Sequence, residues 1–219
     1  MKRRYAVVLK ILALSSLLFA FLFGCGGGGP GSPGSSGSDN TGVKVDASVE
    51  GLYLGEAAYS VDAFQNLCVE GPPPIYEGFT DHQARVTFTA RLINPDSTFQ
   101  AGKLYIEKYT VELRRSSDSI GAPPIESDTR YQTIEIPAPI GAGEITVTTD
   151  IILVDLLRKD QYREDVSIPP SNPRYSSFGG LGYLNNYTAI FTFEGQNEFG
   201  ENFKVKTQMN FQIGNFDNC

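Results

Sequence analysis

The chain of 219 residues has no tryptophan, one histidine, two methionines and three cysteines, and each scarcity removes a class of chemistry. With His82 the only imidazole, a Ser-His-Asp or Cys-His arrangement has a single candidate base, and no Gly-x-Ser-x-Gly turn accompanies it. His82 follows Asp81 at the entrance to a predicted strand, where a solvated loop histidine is the expected reading. One histidine without a cysteine cluster does not match the ligand spacings of zinc sites. Glu198, Glu201 and Asn202 offer oxygen atoms to calcium, but the Asp-x-Asp-x-Asp-Gly spacing of an EF-hand is missing. No metal and no cofactor is therefore expected. Any two of the 25 acidic residues could form a glycosidase pair, yet nothing in the sequence selects two of them. The chain reads as non-enzymatic, with a hydrolase only the third reading. Tryptophan, the usual platform for stacking sugars, is absent, although tyrosine can serve.

Positive charge is scarce where a nucleic acid would need it. Four of the 18 basic residues, Lys2, Arg3, Arg4 and Lys10, lie at the start, which leaves 14 against 25 acidic residues and a net charge of −11 for the remainder. Phosphate binding needs clustered Lys and Arg, and no such cluster follows Lys10. Nucleic acid is excluded as an expected partner.

What the chain does have begins with its first residues. The basic start leads into an apolar run of 14 residues, Ile11 to Gly24, too short for the roughly 20 residues of a membrane-spanning helix and suited to a signal-peptide core. The run closes on Leu22-Phe23-Gly24-Cys25, which resembles the lipobox of bacterial lipoproteins. The resemblance implies acylation of the Cys25 thiol, cleavage before Cys25 and acylation of the new amino terminus. Without it, the opening reads as an ordinary cleaved signal or an uncleaved anchor. Gly26 after the cysteine, rather than the Asp that such families use for inner-membrane retention, implies the outer membrane, on its periplasmic face or at the cell surface. Residues 1–24 are thus the expected signal, and residues 25–42 the lipidated cysteine with a Gly/Ser/Pro run that has no large apolar side chain to offset its ordering entropy. Residues 43–219 remain as one domain.

From Val43 the dominant period is two, the signature of strands with one buried face. Val43, Val45, Ala47 and Val49 share one parity, as do Ala84, Val86, Phe88, Ala90 and Leu92. Leu52 to Val69 is irregular, and Gly71-Pro72-Pro73-Pro74 forbids pairing. In the next strand Leu104 and Ile106 take one parity and Tyr109, Val111 and Leu113 the other, which predicts a bulge or change of sheet near Glu107-Lys108. Ser116 to Asp128 reads as a loop, Thr133 to Ile136 as a short edge strand, and Glu144 to Leu153 as a strand. Leu153, Leu156 and Leu157 beside Arg158, Lys159, Asp160 and Arg163 suggest a short helix with an apolar stripe. A long loop, Ile168 to Tyr183, precedes a final hairpin, Tyr187 to Phe193 and Phe203 to Ile213, with Gly195 to Asn202 as its turn.

These elements predict an all-β chain, an antiparallel β-sandwich of about seven to nine strands with one short helix. Tyr109-Thr110-Val111 and the hairpin with its Asn197-Glu198-Phe199-Gly200-Glu201-Asn202 turn resemble the Ig-like and fibronectin-type sandwiches of uncharacterised bacterial surface lipoproteins. The implied role is a membrane-anchored structural or adhesive interaction module, with a glycan-binding or small-molecule-binding module as the alternative. Two cysteines remain once Cys25 carries lipid, and an exported chain favours a disulfide between Cys68 and Cys219; separate thiols or a bridge to another chain are the other possibilities. The segment with most binding character is Asn172 to Asn186. There Tyr175, Phe178 and Tyr183 either anchor a protein or glycan partner or fold back into the core.

Overall fold

The computed structural model describes residues 37–96, 101–119, 121–167 and 184–216. Eleven strands and one α-helix are present among them, after a single 3-10 turn at Asp39–Thr41: β1 (Val43–Tyr53), β2 (Glu56–Ala57), β3 (Ser60–Asp62), β4 (Leu67–Val69), β5 (Ile75–Tyr76), β6 (His82–Leu92), β7 (Leu104–Arg115), β8 (Asp128–Ile136), β9 (Glu144–Val154), α1 (Leu156–Ser167), β10 (Asn185–Asn197) and β11 (Asn202–Gly214). Four strands form one sheet in the order β2-β1-β6-β9, five form the other in the order β3-β11-β10-β7-β8, and β4 with β5 makes a separate ribbon. All pairs are antiparallel except β3 with β11. The fold is the expected all-β antiparallel sandwich with one short helix. The strands beyond nine come from Glu56–Ala57, Ser60–Asp62, Leu67–Val69 and Ile75–Tyr76, pieces of two or three residues that are too short to show a period.

The inward parity of each long strand fills the space between the sheets. Phe88 of β6 meets Phe193 of β10 edge-on, with ring centroids 4.9 Å apart, a geometry that the ring quadrupoles favour. Phe193 also lies 5.9 Å from Tyr109. Tyr109 is buried, and its hydroxyl oxygen accepts the Ile152 amide proton of the other sheet at 3.0 Å, so the core aromatic is also a cross-sheet tie. The parity switch in β7 is a register shift against β8 between Ile106 and Lys108. A second shift, between Glu194 and Gly195, falls where β10 faces β7. Gly195 reads in the sequence as the start of the hairpin turn, but β10 continues to Asn197 and the turn is confined to Glu198–Glu201. Glycine is required there because a Cβ would stand 1.9 Å from the Tyr105 carbonyl oxygen, which marks a close backbone approach rather than a chain reversal.

The fold takes up the chain before Val43. Gly37 bridges to Lys204, Asn40 Nδ2 donates to the Asn202 carbonyl at 2.7 Å, and the buried Ser38 hydroxyl accepts the Val45 amide at 2.9 Å. The incoming segment is therefore clamped beside the β10–β11 turn. The starts of β1, β7, β9 and β11 lie at this end, as their pairings with the ends of β6, β8 and β10 require. We call it the tether pole. Helix α1, the β4–β5 ribbon and the starts of β6 and β10 lie at the opposite, distal pole.

Helix α1 packs differently from expectation. Leu156 and Leu157 are exposed, Leu157 at 71%, while Lys159 and Tyr162 face inward and Val166 packs partly against the core. The stripe is thus 159, 162 and 166, an i, i+3, i+7 face hidden from sequence reading because a lysine occupies it. Tyr162 donates to the Ile213 carbonyl at 3.2 Å and accepts from Asn185 Nδ2 at 2.6 Å, which satisfies both capacities of a buried hydroxyl. Burial pushes its pKa up to about 12. The helix starts on two carboxylates: Asp81 Oδ1 accepts the Leu156 amide at 2.8 Å and Asp155 Oδ1 the Arg158 amide at 2.9 Å, positions where the helix dipole favours negative charge.

Candidate functional site

The distal pole holds two groupings of polar side chains, one buried and one open. In the buried one, Asp62 and Glu77 are each 5% exposed, His82 3% and Lys159 4%. Asp62 is the last residue of β3, paired with Gly214 of β11, and its Oδ1 accepts the amides of Phe64 at 3.0 Å and Phe216 at 3.2 Å. Glu77 accepts the Asn66 amide and shares a hydrogen bond with Asp62. Burial raises the Asp62 pKa, opposed by its two backbone hydrogen bonds and assisted by the nearby Glu77. Lys159 donates to the Thr80 carbonyl at 2.7 Å and lies 5.0 Å over the Phe79 ring. Burial lowers its pKa in spite of Asp62, Asp81 and Glu77.

His82 belongs to this layer, which corrects the expectation of a solvated loop histidine. It is buried at the start of β6, stacked with Tyr53 at 6.3 Å between ring centroids, and its Nε2 has no hydrogen-bond partner. Burial pushes its pKa down to about 4, with the Lys159 charge adding to the shift and a hydrogen bond to the Ala58 backbone opposing it. Both carboxylates are committed to holding loop backbone and are closed to solvent. A glycosidase pair must reach a sugar, and Asp62 with Glu77 holds the β3–β4 segment and the chain end together instead. Among the described residues no group of three His, Cys, Asp or Glu side chains is arranged to hold a metal. At the tether pole, Asn197 Oδ1 accepts the amides of Phe199 and Glu201, and its Nδ2 donates to Glu201 Oε2 at 2.7 Å. The acidic turn is therefore braced by its own side chains.

The open grouping lies on the outer face of the five-stranded sheet. A cleft of about 340 Å³ is lined by Tyr59, Ser60, Ser116, Asp118, Asn186, Asn210, Phe211 and Gln212. Its walls are fixed through backbone bonds: Gln212 donates to the Tyr59 carbonyl at 2.8 Å, and Ser116 to that of Asn186 at 2.9 Å. Asn186 Nδ2 donates to Asp118 Oδ2 at 2.7 Å, and Thr188 to Asn210 Oδ1 at 2.8 Å. Nearby, the β4–β5 ribbon exposes Leu67, Val69, Ile75 and Tyr76, paired across its two strands as Leu67 with Tyr76 and Val69 with Ile75.

Of the residues expected to bind, Tyr175, Phe178 and Tyr183 lie outside the described residues, as do Cys25 and Cys219. Cys68 lies half-buried in β4. The last residue of the expected segment, Asn186, does line the cleft. Tyr59, Ser60 and Asp118 were missed because they come from separate loops and a three-residue strand. The amides at 208, 210 and 212 on the outer parity of β11 were the available signal, since strand exteriors more often carry charge or threonine.

No family model matches the chain, and no curated protein does. Among solved structures, a putative late embryogenesis abundant protein is similar with a TM-score of 0.35 and 10% identity, over 79% of this chain and 73% of that one. A structural-genomics target has a TM-score of 0.28 and 10% identity, over 78% and 85%. An Arabidopsis thaliana protein has a TM-score of 0.31 and 12% identity, over 64% and 75%. Likenesses at this level carry no argument about function.

Proposed function

We propose that the chain is a membrane-anchored lipoprotein whose non-enzymatic β-sandwich is an interaction module, held to the bilayer through Cys25 and presenting its distal pole to a partner. The observation that supports this most is the separation of the two ends. Gly37 and Ser38 enter beside the β10–β11 turn, whereas the open cleft and the exposed apolar ribbon lie at the other end of strands of 11 to 13 residues, about 40 Å away at the usual rise. Since the fold already holds Gly37, the proposed tether is Gly26 to Ser36, and a chain of that length and Gly/Ser/Pro composition would reach roughly 20 Å as a random coil. A tether of that reach would keep the tether pole nearer the bilayer, on average, than the distal pole. Tyr175, Phe178 and Tyr183, the anchors expected from the sequence, lie outside the described residues. Several acyl chains together give lasting attachment where one gives only marginal binding.

Detergent-phase partitioning tests the anchor. The mature wild type is expected in the detergent phase, and Cys25→Ser in the aqueous phase or unprocessed. A wholly aqueous wild type sinks the reading.

A further inference from the structure

We propose that the distal cleft is a glycan site that takes a neutral sugar residue; this rests on the presented-pole reading above and names the ligand class of that pole. The chemistry of the walls selects the class. No Lys or Arg is among the described residues lining it, so phosphate, sulfate and carboxylate ligands would meet no countercharge from them and would approach a chain of net charge −11 outside its basic start. An apolar ligand would leave the hydroxyls, amides and carboxylate unpaired, a cost that a binding site does not carry. Vicinal hydroxyls, which donate and accept side by side, fit instead.

Asp118 and Asn186 supply the matching pair. Their mutual bond at 2.7 Å sets a carboxylate acceptor against an amide whose carbonyl and second N–H take no partner among the described residues, the inventory a sugar diol needs. Asn210 is oriented in the same way, because its Oδ1 is taken by Thr188 and its amide N–H groups have no partner among the described residues. Gln212 and Ser60 add polar side chains from neighbouring strands that are hydrogen-bonded together. Tyr59, 54% exposed at the rim, gives an apolar face beside these polar groups, the combination on which a pyranose ring stacks. The volume of about 340 Å³ is at the small end of ligand sites, and an open cleft of that size accepts one ring of a longer glycan without enclosing it.

The test uses the mature lipidated chain in detergent against an array of neutral oligosaccharides built from glucose, galactose, mannose and N-acetylglucosamine. Binding of at least one of them is expected, weakened tenfold or more by Asp118→Ala and by Gln212→Ala while the thermal midpoint stays unchanged. Asp118 is exposed in a loop, so its removal leaves the fold intact, and Gln212→Ala gives a second reading from a strand. No binding to any of these glycans at millimolar concentration, or binding that survives both substitutions, overturns the proposal. A photo-crosslinker at position 59 that captures a protein on intact cells, with an empty array, overturns the sugar assignment alone and leaves the presented pole standing. The detergent partition decides the anchor separately.

Discussion

His82 shows how one buried side chain sets the acid response of the molecule. Its folded pKa is about 4 against an ordinary 6.5, so the unfolded chain takes up a proton that the folded chain refuses. Stability supplied by the neutral imidazole is intact above pH 6.5 and is lost as pH falls from 6.5 towards 4, by about 3 kcal/mol in total. Below pH 4 both states are protonated and the contribution ends. The groups facing the ring are Tyr53, the Ala58 backbone and Lys159. Asp62, whose pKa is raised, acts with the opposite sign, since acid favours the form that the fold prefers. Denaturation curves at pH 6.5 and 4 separate the two: wild type should lose about 3 kcal/mol more than His82→Gln over that interval. Equal losses would mean that the imidazole charges freely in the folded state.

Cysteine pairing belongs to the same scale. We propose the Cys68–Cys219 disulfide on the support of neighbouring contacts: Asn66 Nδ2 donates to Asn215 Oδ1 at 2.9 Å and to the Phe216 carbonyl at 3.0 Å. Cys68 follows Asn66 by two positions, and Cys219 follows Phe216 by three. Closing the 152-residue loop from Cys68 to Cys219 restricts the unfolded chain by roughly 4 to 5 kcal/mol in the entropy account. Mass analysis after alkylation without reduction should find neither thiol modified, and two modified thiols per monomer would exclude the bridge.

At the scale of elements, the corner between β8, β9 and α1 carries a four-member ion network. Arg130 reaches Asp155 at 2.6 Å, and Arg158 reaches Asp155 at 2.8 Å and Asp128 at 3.3 Å. Arg130 also pairs with Asp128. The Asp155 and Arg158 side chains are 12% and 13% exposed, so these are not the solvated pairs whose worth is small. Asp155→Ala removes a helix cap and leaves Asp128 alone to balance two guanidinium groups, and should cost about 2 to 3 kcal/mol in urea denaturation. A cost under about 0.5 kcal/mol would reduce the corner to surface decoration. The edge strands β8 and β9 lie together at this corner, where Gln132 Nε2 donates to the Asp150 carbonyl.

What the sequence made legible also divides by element. Long strands showed themselves through period two, and even the bulge in β7 appeared as a change of parity between Ile106 and Tyr109. The helix was placed but its buried face was misjudged, because Lys159 is held by a carbonyl and an aromatic ring that sit about 80 residues away in the chain. The expected strand Thr133–Ile136 covers only the second half of β8, because an edge strand with one exposed face needs little apolar residue in its first half. The cleft was the least legible part. Its donors and acceptors come from four separate stretches, and neither a motif nor a period joins Tyr59 to Asp118 or Gln212.

For the whole molecule, the account makes the two poles functionally unequal: lipid beyond one, recognition at the other. The most direct measurement is energy transfer from a donor dye at Glu198, in the β10–β11 turn, or at Asp118, beside the cleft, to acceptor-labelled lipids in vesicles carrying the mature acylated chain. Transfer should be clearly stronger from Glu198, since the tether reaches only roughly 20 Å and the sandwich is about twice as long. Equal transfer from both positions, or stronger transfer from Asp118, would contradict a module that holds its cleft away from the membrane.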